Sequence, residues 1–264
     1  MTNNNNISYL FSKKIDNFFI LILDIYRFII RFFKEIWTSK QDIKELTQQC
    51  YESGYKSLFL ISTIGFITGI VFCNQTRPYL SNFGALSWMP SIISISIVRA
   101  LAPIITALIA AGKISSHIAS ELGSMRITEQ IDAMEVSAIK PFNFLVVTRT
   151  LASTLMIPIL TVYAIVISLF GAFINIHYNE NISLNLFIIE IFDSISFFDI
   201  GFTMFKSILF GFTIGIVGSY NGFYAKNGTQ GVGRSSNISF VVSMLLIFFE
   251  ELFVLQITKL INNF

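Results

Sequence analysis

Six charged side chains crowd into residues 119–140, ASELGSMRITEQIDAMEVSAIK: Glu121, Arg126, Glu129, Asp132, Glu135 and Lys140. The chain on either side is almost free of charge. So polar a helix cannot sit in hydrocarbon, so it is expected on one membrane face, presenting a patterned surface to a partner in water. Arg99 is a second position with chemistry, seven residues inside an apolar run that starts near Ser91. An ionisable group at that depth is costly and faces a bundle interior or a wet cavity. Its planar guanidinium suits a phosphate such as a phospholipid headgroup; the alternative is a structural pair with Glu250, Glu251 or a backbone carbonyl. Glu250 and Glu251 interrupt the last apolar run near its outer end, and at least one of them is expected at the interface.

Catalytic signatures are sparse. The sequence has no GxxxxGK[ST] phosphate loop, so the chain is not expected to hydrolyse nucleotide by itself, and no HExxH. His117 and Glu121 lie one helical turn apart and could ligate a metal, but two ligands make a poor site. The run Gly228-Thr-Gln-Gly231-Val-Gly233 follows an apolar span rather than a soluble strand, and reads as a tight inner turn rather than a nucleotide loop. Cys50 and Cys73 are expected to be unpaired thiols. A net charge of +2 and the lack of basic runs interleaved with aromatics argue against nucleic acid.

The elements that must position these groups are membrane spans. Mean hydropathy is +0.68 and only 13% of residues are charged, which places the chain among integral membrane proteins. No Asp, Glu, Lys or Arg occurs from Ser57 to Thr76, Thr150 to Asn179 or Ser207 to Ala225, and about 20 apolar residues suffice to cross the hydrocarbon layer. Runs near Ser91–Gly112 and Ser236–Ile261 bring the expected spans to five. Before them, Lys13, Asn17, Asp24, Arg27, Arg31 and Lys34 form a polar stripe, opposite Phe18, Ile22, Ile25, Tyr26, Ile29, Phe33 and Trp37. That pattern describes an amphipathic helix lying in the headgroup region; a tilted first span with snorkelling charges is the alternative. Residues 1–52 are thus an interfacial and connecting region, and 53–264 the membrane domain. Lys and Arg number eight before the first span and four in 113–149, but none falls between Thr150 and Phe205. The N-terminus is therefore expected inside and the acidic 175–200 loop outside. Glycines at four-residue spacing, Gly65 and Gly69, then Gly211, Gly215, Gly218 and Gly222, mark close helix packing, within the subunit or at a dimer seam. The N-terminus lacks the features of a cleaved signal or transit peptide. Phe at 28 against Gly at 15 fits a low-GC genome such as an organelle's.

The run from Leu101 to Val136, LAPIITALIAAGKISSHIASELGSMRITEQIDAMEV, resembles the signature of the MlaE-type permeases. So do Pro141, Arg149, the Asn221-Gly222 pair and Gly231-Val-Gly233, and the likeness covers about residues 45–262. These permeases are the membrane subunits of ABC transporters that move phospholipids together with MCE-domain proteins, and they include the permease of the chloroplast lipid importer. The resemblance implies an all-α integral membrane protein with a coupling helix between the second and third spans, docking on a separate ATPase that binds ATP and magnesium. By helical spacing Glu121, Met125, Thr128, Asp132 and Glu135 share a face, with Arg126, Glu129 and Gln130 on its flank. The resemblance further implies a homodimer, an MCE partner on the far side, and a lipid pocket involving Tyr79, Ile97, Arg99 and Leu101. This chain would itself bind no cofactor or metal. Two departures stand out: Ala100 follows Arg99 where the family has an acidic residue, and Lys113 replaces an arginine. A plastid inner envelope is the first expectation for location and a bacterial inner membrane the second. The reading from another class is a non-transporting scaffold that anchors a soluble assembly through the same helix.

Overall fold

The computed structural model describes residues 3–38, 42–226 and 228–262, the side chains of 3–18, 21 and 261–262 excepted. Regular structure among them is helical throughout. Helix α1 (Asn3–Thr38) and the short α2 (Ile43–Ser53) precede α3 (Leu58–Asn82). A second long run, α4 (Leu86–Ile127), leads to the short α5 (Gln130–Val136). Then come α6 (Phe142–Glu180), α7 (Leu184–Ser194), α8 (Phe197–Phe223) and α9 (Gly228–Asn262). Five runs are long and apolar enough to cross a membrane, as expected: 43–82, 86–127, 142–180, 197–223 and 228–260. The chain is an all-α integral membrane protein.

Each span divides into a face for protein and a face for lipid. On α6, Ile157, Leu160, Ala164 and Ser168 are buried, while Leu155, Ile159, Val162, Val166 and Phe170 are exposed. Both sets follow three- and four-residue steps, the helical period with apolar residues on either side. The glycine faces close contacts within this chain. A Cβ on Gly69 of α3 would lie 2.0 Å from the Ser168 carbonyl oxygen of α6, and one on Gly215 of α8 would lie 2.3 Å from Ser153 Oγ. Between the latter two helices, Ser153 Oγ donates to the Gly211 carbonyl at 2.9 Å. Small residues thus replace the hydrophobic driving force that lipid removes.

Helix α4 is not a uniform α-helix. Two π-turns, Ile97–Leu101 and Ala111–Ser115, interrupt it, and they carry two of its three Lys and Arg residues, Arg99 and Lys113. Pro103 follows the first and has no N–H to give the Arg99 carbonyl four residues back. The ammonium of Lys206 on α8 donates to that carbonyl instead.

Two sequence expectations need correction, and the packing of α1 adds a detail. Residues 175–200 are not an open loop: α6 runs to Glu180, and α7 follows with Phe187 buried against the bundle. Residues 228–233 are not a turn but the first turns of α9, which Gly228 enters with φ of +64°. On α1, the face that meets protein centres on Phe28 and Phe32, whereas Ile22, Tyr26, Phe33 and Trp37 are exposed. Phe28 lies edge-on to Phe142 and Tyr220, and the Arg31 guanidinium sits 4.3 Å above the Phe142 ring, so this residue of the polar stripe is also a docking contact. The stripe's first members, Lys13, Asn17 and Phe18, lie outside the described side chains. Cys50 and Cys73 are free thiols.

Candidate functional site

One end of the bundle gathers α2, the end of α4, α5 and the start of α6, and with them most of the basic positions. Its hub is Arg149, about two turns into α6 and 2% exposed. Its Nη2 and Nε donate to Glu121 at 2.7 and 3.1 Å, and Nη1 donates to the Leu145 carbonyl at 3.1 Å. Glu45 of α2 approaches to 3.9 Å. A bidentate arginine–carboxylate pair fixes direction as well as distance, so three helices are pinned at one point. Glu121 is therefore held from within by Arg149, with about a third of its side chain still exposed. That pairing also removes it from any metal pair with His117, whose Nε2 lies 4.0 Å from Glu52 instead.

The polar segment 119–140 is not one helix. Residues 119–127 complete α4, with Ala119, Leu122 and Gly123 buried. Glu129 then takes a left-handed conformation (φ 59°, ψ 15°) and opens α5. This breaks the spacing that put Glu121, Met125, Thr128, Asp132 and Glu135 on one face. Across the break, Arg126 Nη1 donates to Asp132 Oδ1 at 2.6 Å, and Thr128 Oγ1 caps the helix end on the Ser124 carbonyl at 2.9 Å. Ile131 is fully buried, with Met125 and Met134 packed against the same core. The result is a knuckle anchored by apolar side chains. Thr128, Glu129, Gln130, Asp132 and Glu135 project outward, together with Val136 at 91% exposed.

The opposite end holds the acidic positions and their partners. Arg77 Nε donates to Glu180 at 2.7 Å and Ser91 Oγ to Glu190 at 2.6 Å. Arg99 pairs with Asp199 on the first turn of α8, at 2.7 Å from Nε to Oδ1 and 3.0 Å from Nη2 to Oδ2. Asp199 is held in turn by a capping box: Ser196 N and Oγ donate to it at 3.0 and 2.9 Å. Deeper, Lys206 Nζ bonds Glu251 at 2.8 Å, with both side chains buried. Thr213 donates to Glu250. Arg99, Asp199 and Lys206 line a cleft of about 250 Å³, walled by Phe198, Phe202, Val254 and Leu255, with Lys259 at its edge. Cations on an apolar wall suit an amphiphile with an anionic head.

Of the four residues expected to form a lipid pocket, only Arg99 lines this cleft. Ile97 is buried in the core, Leu101 packs against the same core, and Tyr79 is 68% exposed beyond Pro78 on α3. Arg99 meets neither Glu250 nor Glu251. Its partner comes from Asp199, 100 residues on, which supplies the carboxylate that Ala100 does not. Sequence reasoning missed Asp199, Lys206, Glu45 and Ile131. Lys206 was the detectable one, a lone cation at the edge of an uncharged run.

Helical spans, a polar knuckle at one end and a charge-lined apolar cleft at the other define an integral membrane protein of the transporter-permease class. The family model described as Permease MlaE matches residues 46–257. A probable ABC transporter permease of Synechocystis sp. is 35% identical over 72% of each chain. The probable ABC transporter permease ycf63 of Pyropia yezoensis is 32% identical over 90% of this chain and 89% of its own. The chloroplastic protein TRIGALACTOSYLDIACYLGLYCEROL 1 of Arabidopsis thaliana is 29% identical over 77% of this chain and 58% of its own. The chain belongs to the MlaE permease family, and it is a permease subunit of an ABC transporter.

Proposed function

We propose that this permease moves phospholipid between membranes, driven by ATP hydrolysis in a separate subunit that docks on the knuckle. The observation that carries the proposal is the continuity of α4, which lines the cleft at Arg99 and ends at Arg126 in the knuckle. At a rise of about 1.5 Å per residue the two sites are roughly 40 Å apart on one element. Closure of the ATPase shifts the knuckle, Arg149 passes that shift to α2 and α6, and α4 carries it to the cleft. The π-turns are where α4 can change its winding, since such turns sit in helices that rearrange. The nucleotide and its magnesium belong to the ATPase, and this chain contributes docking side chains and a lipid-facing cleft.

The working unit is a homodimer with two ATPase subunits, and an MCE-domain protein meets the end that carries Glu180 and Glu190. The ycf63 relative of Pyropia yezoensis and the chloroplastic relative support placement in a plastid inner envelope, and bacterial relatives support an inner membrane as the alternative. The test is charge reversal on the knuckle. Glu129→Lys with Glu135→Lys abolishes co-purification of the ATPase and leaves membrane insertion unchanged. Retained association would remove the docking assignment.

A further inference from the structure

A second polar pocket lies at the knuckle end, away from the cleft, between α2 and the lower half of α4. It holds about 70 Å³ of open space, room for several waters or one phosphate-sized group. Lys56, Lys113 and His117 converge on it, with Glu52 the carboxylate among its lining residues. Lys56 Nζ bonds Glu52 at 2.9 Å, and the Lys113 ammonium donates to the Lys56 carbonyl. Each ammonium has three protons to give and accepts none. Two ammoniums and one carboxylate thus line the pocket, and donors and positive charge are left in excess. A pocket with net positive charge attracts an anion.

The level of the pocket along the bundle indicates where that anion comes from. Trp88, 69% exposed, stands near the far end of α4, and Lys113 lies 25 residues further on. At about 1.5 Å per residue that is roughly 37 Å, the hydrocarbon thickness plus the edge of a headgroup layer. Phe59, 83% exposed, projects one turn from Lys56 toward the apolar side, and Tyr51 and Tyr55, stacked at 5.0 Å and both exposed, flank it on the polar side. Aromatic side chains at that boundary sit at headgroup level.

We infer that Lys56 and Lys113 form a binding site for the phosphate of an anionic lipid headgroup in the leaflet on the knuckle side, separate from the cleft at Arg99. The bound lipid joins the α2–α3 connection to the second π-turn of α4, and so links leaflet composition to the segment that leads to the knuckle. The inference does not rest on the transport proposal.

The test uses the full chain in nanodiscs of phosphatidylcholine containing phosphatidylglycerol, with native mass spectrometry of the lipid retained after release into detergent. The wild-type chain retains phosphatidylglycerol in preference to phosphatidylcholine. Each of Lys56→Gln and Lys113→Gln lowers that preference about fivefold, the effect of one cation at a membrane surface. Lys113→Arg preserves it, which separates loss of the site from misfolding. Lys44→Gln, an exposed lysine of α2 outside the pocket, leaves the preference unchanged; an equal loss there would make the effect one of general surface charge and overturn the inference. Inorganic phosphate at 10 mM, as an order-of-magnitude excess over the lipid, does not displace the bound lipid; displacement would make free phosphate the ligand and overturn the lipid assignment. Equal retention of the two lipids, or a preference unaffected by both glutamine variants, also overturns it.

Discussion

Replacing Arg149 with methionine tests whether one buried guanidinium holds the knuckle end together. Methionine fills most of the volume but deletes both hydrogen bonds to Glu121, at 2.7 and 3.1 Å, and the one to the Leu145 carbonyl. Breaking a buried ion pair by removing one partner costs about 3–5 kcal/mol. Glu121 keeps about a third of its side chain in solvent and can partly rehydrate, so the lower end applies. The expected loss is about 3 kcal/mol, which for a chain of this size lowers Tm by roughly 6–12 °C. The assay is thermal unfolding in mild detergent, with Glu121→Gln and the double variant completing a cycle. The double variant should cost less than the sum of the singles by at least about 1 kcal/mol, because the singles share one interaction. An Arg149→Met chain within about 1 °C of wild type, or strictly additive effects, would refute that role of Arg149.

Three further outcomes follow from the same geometry. Gly69→Val places a Cβ 2.0 Å from the Ser168 carbonyl oxygen, so α3 and α6 must part; a loss of at least about 2 kcal/mol is expected in the same unfolding assay. Glu129→Gly relieves a left-handed conformation that costs a non-glycine residue about 1 kcal/mol, and Tm should rise by about 2–4 °C. Asp199→Asn weakens a half-exposed pair worth at most about 1 kcal/mol and should barely change Tm. The same change leaves Arg99 freer in the cleft and should alter the phospholipid retained there, measured by lipid mass spectrometry, with Arg99→Ala lowering it further.

Composition carried the spans because lipid imposes one strong rule: charge gaps of about 20 residues become helices. Glycine spacing located the close contacts, although period alone could not say whether they lay within one chain, and Ser168 and Ser153 now answer that. Pairings across long separations were not legible. Glu121 looked like a surface charge until Arg149, 28 residues on, took it inward, and Asp199 looked like an outer-loop acid until it met Arg99. The break at Glu129 was hidden as well, since glutamate has no preference for the left-handed region and tertiary anchoring by Ile131 imposes it. On α1, the aromatic content made more than one face apolar, and only the partners Phe142 and Tyr220 select Phe28 and Phe32.

The most direct test of the central claim is purification of the tagged chain from its native membrane in a gentle detergent, followed by mass spectrometry of everything retained. The account predicts an ATP-binding subunit, an MCE-domain protein and phospholipid in stoichiometric amount. A chain that comes out alone and lipid-free, reproducibly under still milder extraction, would contradict it and favour a scaffold that transports nothing.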